Sequence, residues 1–132
     1  MRRLAQALAP LAAIGALVLL AAGCTARADE FRHVALADPE LAAHSTSAAG
    51  VWESAPWTGT NWMPYAGHLT LQIDHDLGHR PNAVLVYLAF DATGSGSALS
   101  AGDLARVVEV TDDHVTIRND TAGDYFVRLV LE

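Results

Sequence analysis

The sequence contains no lysine, and its eight basic residues are all arginines. Fifteen aspartates and glutamates outnumber them, so the formal net charge is −7. Proteins bind nucleic acids through concentrated positive charge, whereas the arginines beyond the first three residues are scattered between Arg27 and Arg128. The composition therefore excludes nucleic acid as an expected partner.

Cysteine is nearly absent as well, since Cys24 is the single one. One cysteine cannot form an intrachain disulfide, so the fold must be held together by burial of apolar side chains. In an exported protein a lone cysteine would be an exposed thiol or an intermolecular disulfide partner, and both are awkward in an oxidising compartment. A chain of this length buries an adequate core without disulfides, and we expect one domain.

A long apolar run occurs at the N-terminus, where two arginines precede the stretch from Leu8 to Ala22. Pro10 and Gly15 interrupt this stretch, and it is shorter than the roughly 20 residues that span a bilayer as a helix. A positive start, an apolar run and small residues at its end are the order of a secretion signal. We predict that residues 1–23 are a cleaved signal peptide, and an uncleaved membrane anchor is the alternative.

The cysteine directly follows Leu20-Ala21-Ala22-Gly23, where a signal peptidase requires small side chains. This segment resembles the lipobox of bacterial lipoproteins, although that family favours leucine at the position of Ala21. The resemblance implies a diacylglycerol on the sulfur of Cys24 and a membrane-anchored protein of the cell envelope. Thr25, in place of the aspartate that retains lipoproteins at the inner membrane, implies the outer membrane.

Residues 24–50 are rich in alanine, serine, aspartate and histidine. Such a composition is typical of a flexible linker, and we predict a lipid-bearing tether. A short helix beginning at Asp38-Pro39-Glu40 is the alternative, because aspartate caps helices and proline suits the first helical position.

Beyond residue 50 the apolar residues recur with the period of a β-strand. Leu69, Leu71 and Ile73 alternate with polar residues, which predicts a strand with one wet face. The continuous apolar run from Ala83 to Phe90 is short and rich in branched residues, so it predicts a central strand buried on both faces.

Three further strands are predicted at Arg106 to Val110, Val115 to Asn119 and Tyr125 to Leu131, separated by turns rich in aspartate. Short strands without a long helix favour an all-β fold. We therefore expect residues 51–132 to form a small antiparallel β-sandwich or a jelly-roll-like barrel.

Aromatic residues are few but crowded near the start of this domain. Flat indole rings stack on sugars or on partner surfaces, and the N–H groups of the rings give orientation. The alternative is that these rings cover an open end of the sandwich as part of its core. The predicted ligand-binding residues are Trp52, Trp57, Asn61, Trp62 and Tyr65.

The richest cluster of metal-ligating side chains joins the two clearest strands. Asp74, His75, Asp76 and His79 offer imidazole and carboxylate ligands of the kind that zinc prefers. Gly78 makes the segment a turn, however, so the alternative is a structural loop in which Leu77 plugs the end of the barrel and Gly78 is left-handed.

The same segment carries a second resemblance. His75, Leu77, Gly78 and Pro81, followed by the strand at Val84-Leu85-Val86, are similar to a His-x-Leu-Gly-x-x-Pro signature. That signature is found in small β-domains of phage tail fibres and in domains related to H-type lectins. The resemblance implies a sandwich fold and a binding function.

The sequence lacks the Gly-x-Ser-x-Gly elbow of serine hydrolases, and Cys24 would be consumed by lipid. We therefore expect a non-enzymatic envelope lipoprotein that is a binding or structural module for a protein partner or a glycan, with no cofactor beyond its covalent lipid. The alternative function is that of a metal-binding lipoprotein that uses His75 and His79 with Asp74 or Asp76.

Overall fold

The computed structural model describes residues 27–132. The predicted signal peptide, residues 1–23, and the predicted lipidation site Cys24 therefore lie outside the described residues. Within residues 27–132 there are ten strands in two sheets and two single-turn 3₁₀ helices, at Pro39–Leu41 and Gly102–Leu104. None of the helices in this part of the chain is long and apolar enough to cross a membrane.

The first sheet has four strands in the order β1-β5-β9-β8. Its strands β5, β9 and β8 pair in antiparallel fashion, whereas β1 runs parallel to β5. The parallel pair departs from the predicted purely antiparallel arrangement. The bounds of these strands are β1 Glu30–Val34, β5 Leu69–Asp74, β8 Arg106–Val110 and β9 His114–Arg118.

The second sheet has six strands in the order β2-β3-β10-β6-β7, and β4 pairs with β10 beside β3. The long strand β10 lies at its centre and pairs with β6 over six residue positions. The bounds of these strands are β2 Ser45–Thr46, β3 Trp52–Glu53, β4 Met63–Tyr65, β6 Val84–Ala89, β7 Ala98–Ser100 and β10 Tyr125–Leu131.

The core lies between the two sheets, which confirms the predicted all-β sandwich. The alternating residues Leu69, Leu71 and Ile73 of β5 are buried as predicted, with Thr70 and Gln72 on the wetter face. On the facing sheet, the inward residues of β10 are fully buried. Burial of this kind stabilises a sandwich by roughly 25 cal/mol for each Å² of apolar surface removed from water.

The prediction that residues 24–50 form a flexible tether is wrong for residues 30–50. The segment Glu30–Val34 is strand β1 of the first sheet, and Val34 and Leu41 have no exposed surface. Pro39 begins the 3₁₀ helix that carries Leu41 into the core, so the alternative of a short helical turn is confirmed. A few apolar residues are enough to order this polar segment, because the other strands supply the apolar surface on which these residues pack.

The predicted central strand is β6, and it does lie inside the sheet, between β10 and β7. Val86, Leu88 and Ala89 are buried, whereas Leu85 and Tyr87 are partly exposed on the outer face. Phe90, included in the apolar run, follows the strand and is 80% exposed. The expectation of burial on both faces is thus met only in part.

The chain enters the sandwich at one end, which we call the amino end and which comprises residues 27–29, 66–68, 90–97 and 118–125. Asn119, which is fully buried, organises this end: its amide nitrogen donates to the carbonyl oxygens of Ala66 and Gly123, at 3.1 and 2.8 Å. Its carbonyl oxygen accepts hydrogen bonds from the backbone and the hydroxyl of Thr121. The opposite end comprises the loops at 75–83 and 111–113.

Candidate ligand-binding surface

The outer face of the six-stranded sheet is the surface that turns away from the core. Directly opposed residues of antiparallel strands share a face, so Arg128, Tyr87 and Leu99 form one row across β10, β6 and β7. Phe126 and Ala89 form the next row. Residues 54–62, which join β3 to β4, cross this face and cover its centre.

Arg128 is completely buried on this outer face. Its Nε donates to the carbonyl oxygen of Ala55 at 2.6 Å, and its Nη2 lies 2.9 Å from a carboxylate oxygen of Glu53. Neither Nη1 nor Nη2 has a partner in hydrogen-bond geometry among the described residues, so the contact with Glu53 is an ion pair. A buried charge is tolerated when it is paired, and Glu53 supplies that compensation while the bond to Ala55 fixes the covering segment.

Trp57 lies flat against this guanidinium, with Cζ of Arg128 3.9 Å from a ring centroid. The edge of the indole also packs on Tyr87, at 4.7 Å between ring centroids and an interplanar angle of 78°. Trp57 nevertheless remains 49% exposed. Because Arg128, Tyr87 and Trp62 all contact the indole, its exposed part is held in place before any ligand arrives.

Trp62 is the buried neighbour of Trp57, with ring centroids 6.0 Å apart and only 2% of its surface exposed. It packs with Ala55 and Ala89 against the sheet. The loop after β6 presses on this ring so closely that a Cβ on Gly94 would lie 2.5 Å from it. Trp62 is therefore the base of the surface rather than a contact for a ligand.

An open cleft of about 310 Å³ lies beside Trp62, and Trp57 is not among the residues that line it. Its walls carry the apolar side chains of Trp62 and Phe126 next to the polar side chains of Thr60, Asn61 and Glu40. Asn61, one of the predicted ligand-binding residues, is half-buried there. We call Trp57, Trp62, Tyr87, Phe126 and Arg128 the aromatic surface, and this cleft is its polar margin.

Trp52 and Tyr65, also predicted to bind a ligand, do not belong to the aromatic surface. Both are fully buried between the sheets, because each occupies an inward position of its strand while Glu53 and Pro64 point outward. Burial, with a smaller contribution from Asp120, raises the pKa of Tyr65 well above its usual range. For these two residues the alternative interpretation, a role in the core, is correct.

The predicted metal-binding carboxylates are engaged separately. An oxygen of Asp74 lies 2.8 Å from Nε2 of His33, on the open face of the first sheet. Asp76 approaches His44 instead, at 3.6 Å. In residues 27–132 no group of three or more histidine, cysteine, aspartate or glutamate side chains is placed to hold a metal ion.

The two predicted histidine ligands also lie apart. His75 is buried, its Nε2 lies 3.3 Å from the carbonyl oxygen of Thr111, and its ring packs edge-on against Trp52. Burial lowers the pKa of His75, and the hydrogen bond to Thr111 opposes that shift only in part. His79 is exposed and its Nδ1 contacts the carbonyl oxygen of Arg80. The structure thus does not assemble the predicted metal site.

The loop that contains these residues matches the structural alternative. Gly78 has a φ of +73°, a conformation that strains any residue with a Cβ. Leu77 packs against the core from the opposite end of the sandwich. The segment therefore closes the sandwich between β5 and β6.

Sequence reasoning missed three members of the aromatic surface, namely Tyr87, Phe126 and Arg128. A signal for Arg128 was present, since a strand with apolar residues on both sides of one arginine indicates that the arginine is covered. Its partner Glu53, 75 positions earlier, could not be identified from spacing because the pairing depends on how β3 and β10 align.

Comparisons with protein-family models, with curated proteins and with solved structures found no match for this chain. The resemblances of the lipobox and of the segment from His75 to Pro81 stay predictions. We therefore infer function from the geometry and chemistry of the aromatic surface.

Proposed function

We propose that the protein is a non-enzymatic binding module of the cell envelope that holds a glycan on its aromatic surface. The observation that carries this proposal is the half-exposed indole of Trp57, fixed from below by the guanidinium of Arg128. An aromatic ring that is already immobilised loses little conformational entropy when a ligand stacks on it.

The chemistry of the surroundings favours a glycan over a purely apolar ligand. Sugar rings present C–H groups on their faces and hydroxyl groups at their edges, so they need a flat apolar platform with polar groups beside it. Trp57 supplies the platform, and the amide of Asn61 and the hydroxyl of Thr60 line the cleft beside its neighbour Trp62. A protein partner would use the same exposed indole but would not require the polar margin.

The proposed location in the cell follows from the lipobox resemblance. Lipid on Cys24 would hold the protein at a membrane of the envelope, and Thr25 favours the outer membrane. A binding domain at that location has cell-wall glycans within reach, which makes them the first ligands to test.

The test is a titration of the full-length protein with soluble peptidoglycan fragments and with β-1,4-linked N-acetylglucosamine oligomers, followed by isothermal calorimetry. Loss of one stacking ring costs on the order of 1.4 kcal/mol, so we expect Trp57→Ala to weaken binding about tenfold. Phe31→Ala is the matched control, because Phe31 is a similarly exposed aromatic residue on the other sheet.

Binding that is unchanged in Trp57→Ala, or reduced equally by Phe31→Ala, would contradict the proposal. Absence of binding to every saccharide would also overturn the assignment of a glycan. Urea unfolding of Trp57→Ala separates a loss of affinity from a loss of fold, because a folded variant with weakened binding is the result that supports the proposal.

A further inference from the structure

The first described residues are tied to the amino end of the sandwich. Arg27 forms an ion pair with Asp124, and a carboxylate oxygen of Asp29 lies 2.9 Å from Nη2 of Arg118. The backbone of Glu30 then donates to the carbonyl oxygen of His68 at 3.1 Å. The chain is thus tied to the domain by exposed ion pairs at Arg27 and Asp29 and by its first backbone hydrogen bond at Glu30.

Very little chain separates this point from the proposed lipid. Cys24 is three residues before Arg27. A fully extended chain spans at most about 3.6 Å per residue, so it reaches about 11 Å to Arg27 and about 22 Å to Glu30. With lipid on Cys24, on which this inference rests, the amino end must lie within about 22 Å of the lipid headgroups, in place of the long tether that the sequence predicted.

The amino end carries the most exposed large apolar side chain of the described residues. Phe90 is 80% exposed, and its ring centroid lies 5.9 Å from that of Tyr125. Both rings border a cleft of about 210 Å³ whose walls include Leu88, Ala98 and Leu104. Aromatic rings are favoured at the headgroup level of a bilayer, where an apolar ring is removed from water.

The charges of the amino end are compatible with this location. Three of its four carboxylates are paired with arginines, Asp124 with Arg27 and both Asp29 and Asp120 with Arg118, whereas Asp91 beside Phe90 bonds instead to Thr93. An overall acidic protein would be repelled by anionic headgroups, but carboxylates that are paired with arginines in this way repel them less.

We propose that the amino end of the sandwich rests directly on the phospholipid surface, with Phe90 inserted at the headgroup level. The domain then stands on the membrane, and its strands run away from the bilayer. The aromatic surface faces sideways, at a short and fixed height, rather than moving at the end of a flexible linker.

The test uses the lipidated mature protein, residues 24–132, in vesicles of phosphatidylethanolamine and phosphatidylglycerol. With lipid on its only cysteine, a Phe90→Cys variant has a single free thiol for a polarity-sensitive nitrobenzoxadiazole label. Asp112→Cys, at the opposite end, is the matched control. We expect a blue-shifted label at position 90 that is quenched by spin-labelled lipids, and a label at position 112 that behaves as in water.

A measurement without a label guards against insertion that the dye itself drives. Amide hydrogen exchange of residues 90–97 in the unmodified protein should slow when vesicles are present, while exchange at residues 111–113 stays the same. Equal solvent exposure of both labels, or unchanged exchange at 90–97, would overturn the inference.

Mass spectrometry of the N-terminal peptide distinguishes a missing lipid anchor from a missing contact between the amino end and the membrane. A peptide without acyl mass on Cys24 overturns the anchor and this inference together. An acylated peptide with position 90 in water overturns this inference alone. Glycan binding in solution depends on Trp57 rather than on Phe90, so a Phe90→Asp variant keeps its glycan affinity whether or not the domain rests on the membrane.

Discussion

Replacing Arg128 with methionine tests whether the buried guanidinium holds the aromatic surface together. Methionine preserves most of the apolar stem and creates little empty volume, so the change isolates the charged group. It removes the hydrogen bond to Ala55, the stacking under Trp57 and the charge partner of Glu53.

The expected loss of stability follows from these three contacts. Breaking a buried ion pair costs about 3 to 5 kcal/mol, because the remaining charge is left without its partner. The side chain of Glu53 is 33% exposed, so water solvates it in part and the cost falls toward the lower limit. We expect a loss of about 3 kcal/mol in the free energy of unfolding, or on the order of 15 °C in Tm.

Urea unfolding monitored by tryptophan fluorescence and by far-UV circular dichroism measures this loss. Arg106→Met is the control, since the side chain of Arg106 is 57% exposed and its ion pairs with Asp103 and the partly buried Asp120 are worth about 1 kcal/mol. The double variant with Glu53→Gln should recover part of the stability, because it removes the unpaired carboxylate.

A loss in Arg128→Met no larger than that in Arg106→Met would refute the reasoning. So would a double variant that is less stable than Arg128→Met alone. Arg128→Lys should not restore wild-type stability, since an ammonium group cannot stack on Trp57 and reach both the carbonyl of Ala55 and the carboxylate of Glu53.

Two further predictions concern a tight contact and a buried imidazole. Gly94→Ala should destabilise the fold by about 2 to 3 kcal/mol, because the new Cβ meets the ring of Trp62, whereas Gly96→Ala, also at positive φ but facing open space, should cost only about 1 kcal/mol in thermal unfolding. Burial lowers the pKa of His75, so the unfolded state takes up a proton first and stability should fall as the pH drops below about 6.5. His75→Gln should flatten this decline in urea midpoints measured between about pH 7.5 and 5.5. His114→Gln should steepen this decline, because desolvation of His114 is outweighed by its hydrogen bonds with neighbouring carboxylates, which raise its pKa. Equal slopes in the wild type, His75→Gln and His114→Gln would contradict both assignments.

The fold was predictable where one chemical pattern dominates a strand. The alternation of Leu69, Leu71 and Ile73 defines β5, and the apolar residues of β10 define the centre of the second sheet. Strand β1 was not predictable in the same way, because Phe31 and Val34 stand among charged residues. Its stability comes from pairing with β5, and that information is nonlocal.

The sequence predicted the region of the candidate site but not the full set of residues that form it. Sequence proximity grouped Trp52 with Trp57, yet a strand ends between them and places Trp52 in the core and Trp57 on the outer face. The residues that fix Trp57, namely Arg128 and Tyr87, come from strands that are distant in sequence and adjacent in the sheet. Alternation indicates which face a residue occupies, but the partner across that face depends on strand order.

The parallel pairing of β1 with β5 bears on how the protein carries mechanical tension. Their register runs from Glu30 beside Leu69 to Val34 beside Ile73, and β1 enters from the amino end. A pull on Arg27 away from the domain acts along the strand axis and across its hydrogen bonds. The five paired positions must then yield together in shear, whereas a strand that entered from the opposite end and turned back would peel away bond by bond. The sandwich is thus arranged to resist being drawn out by its own leading strand.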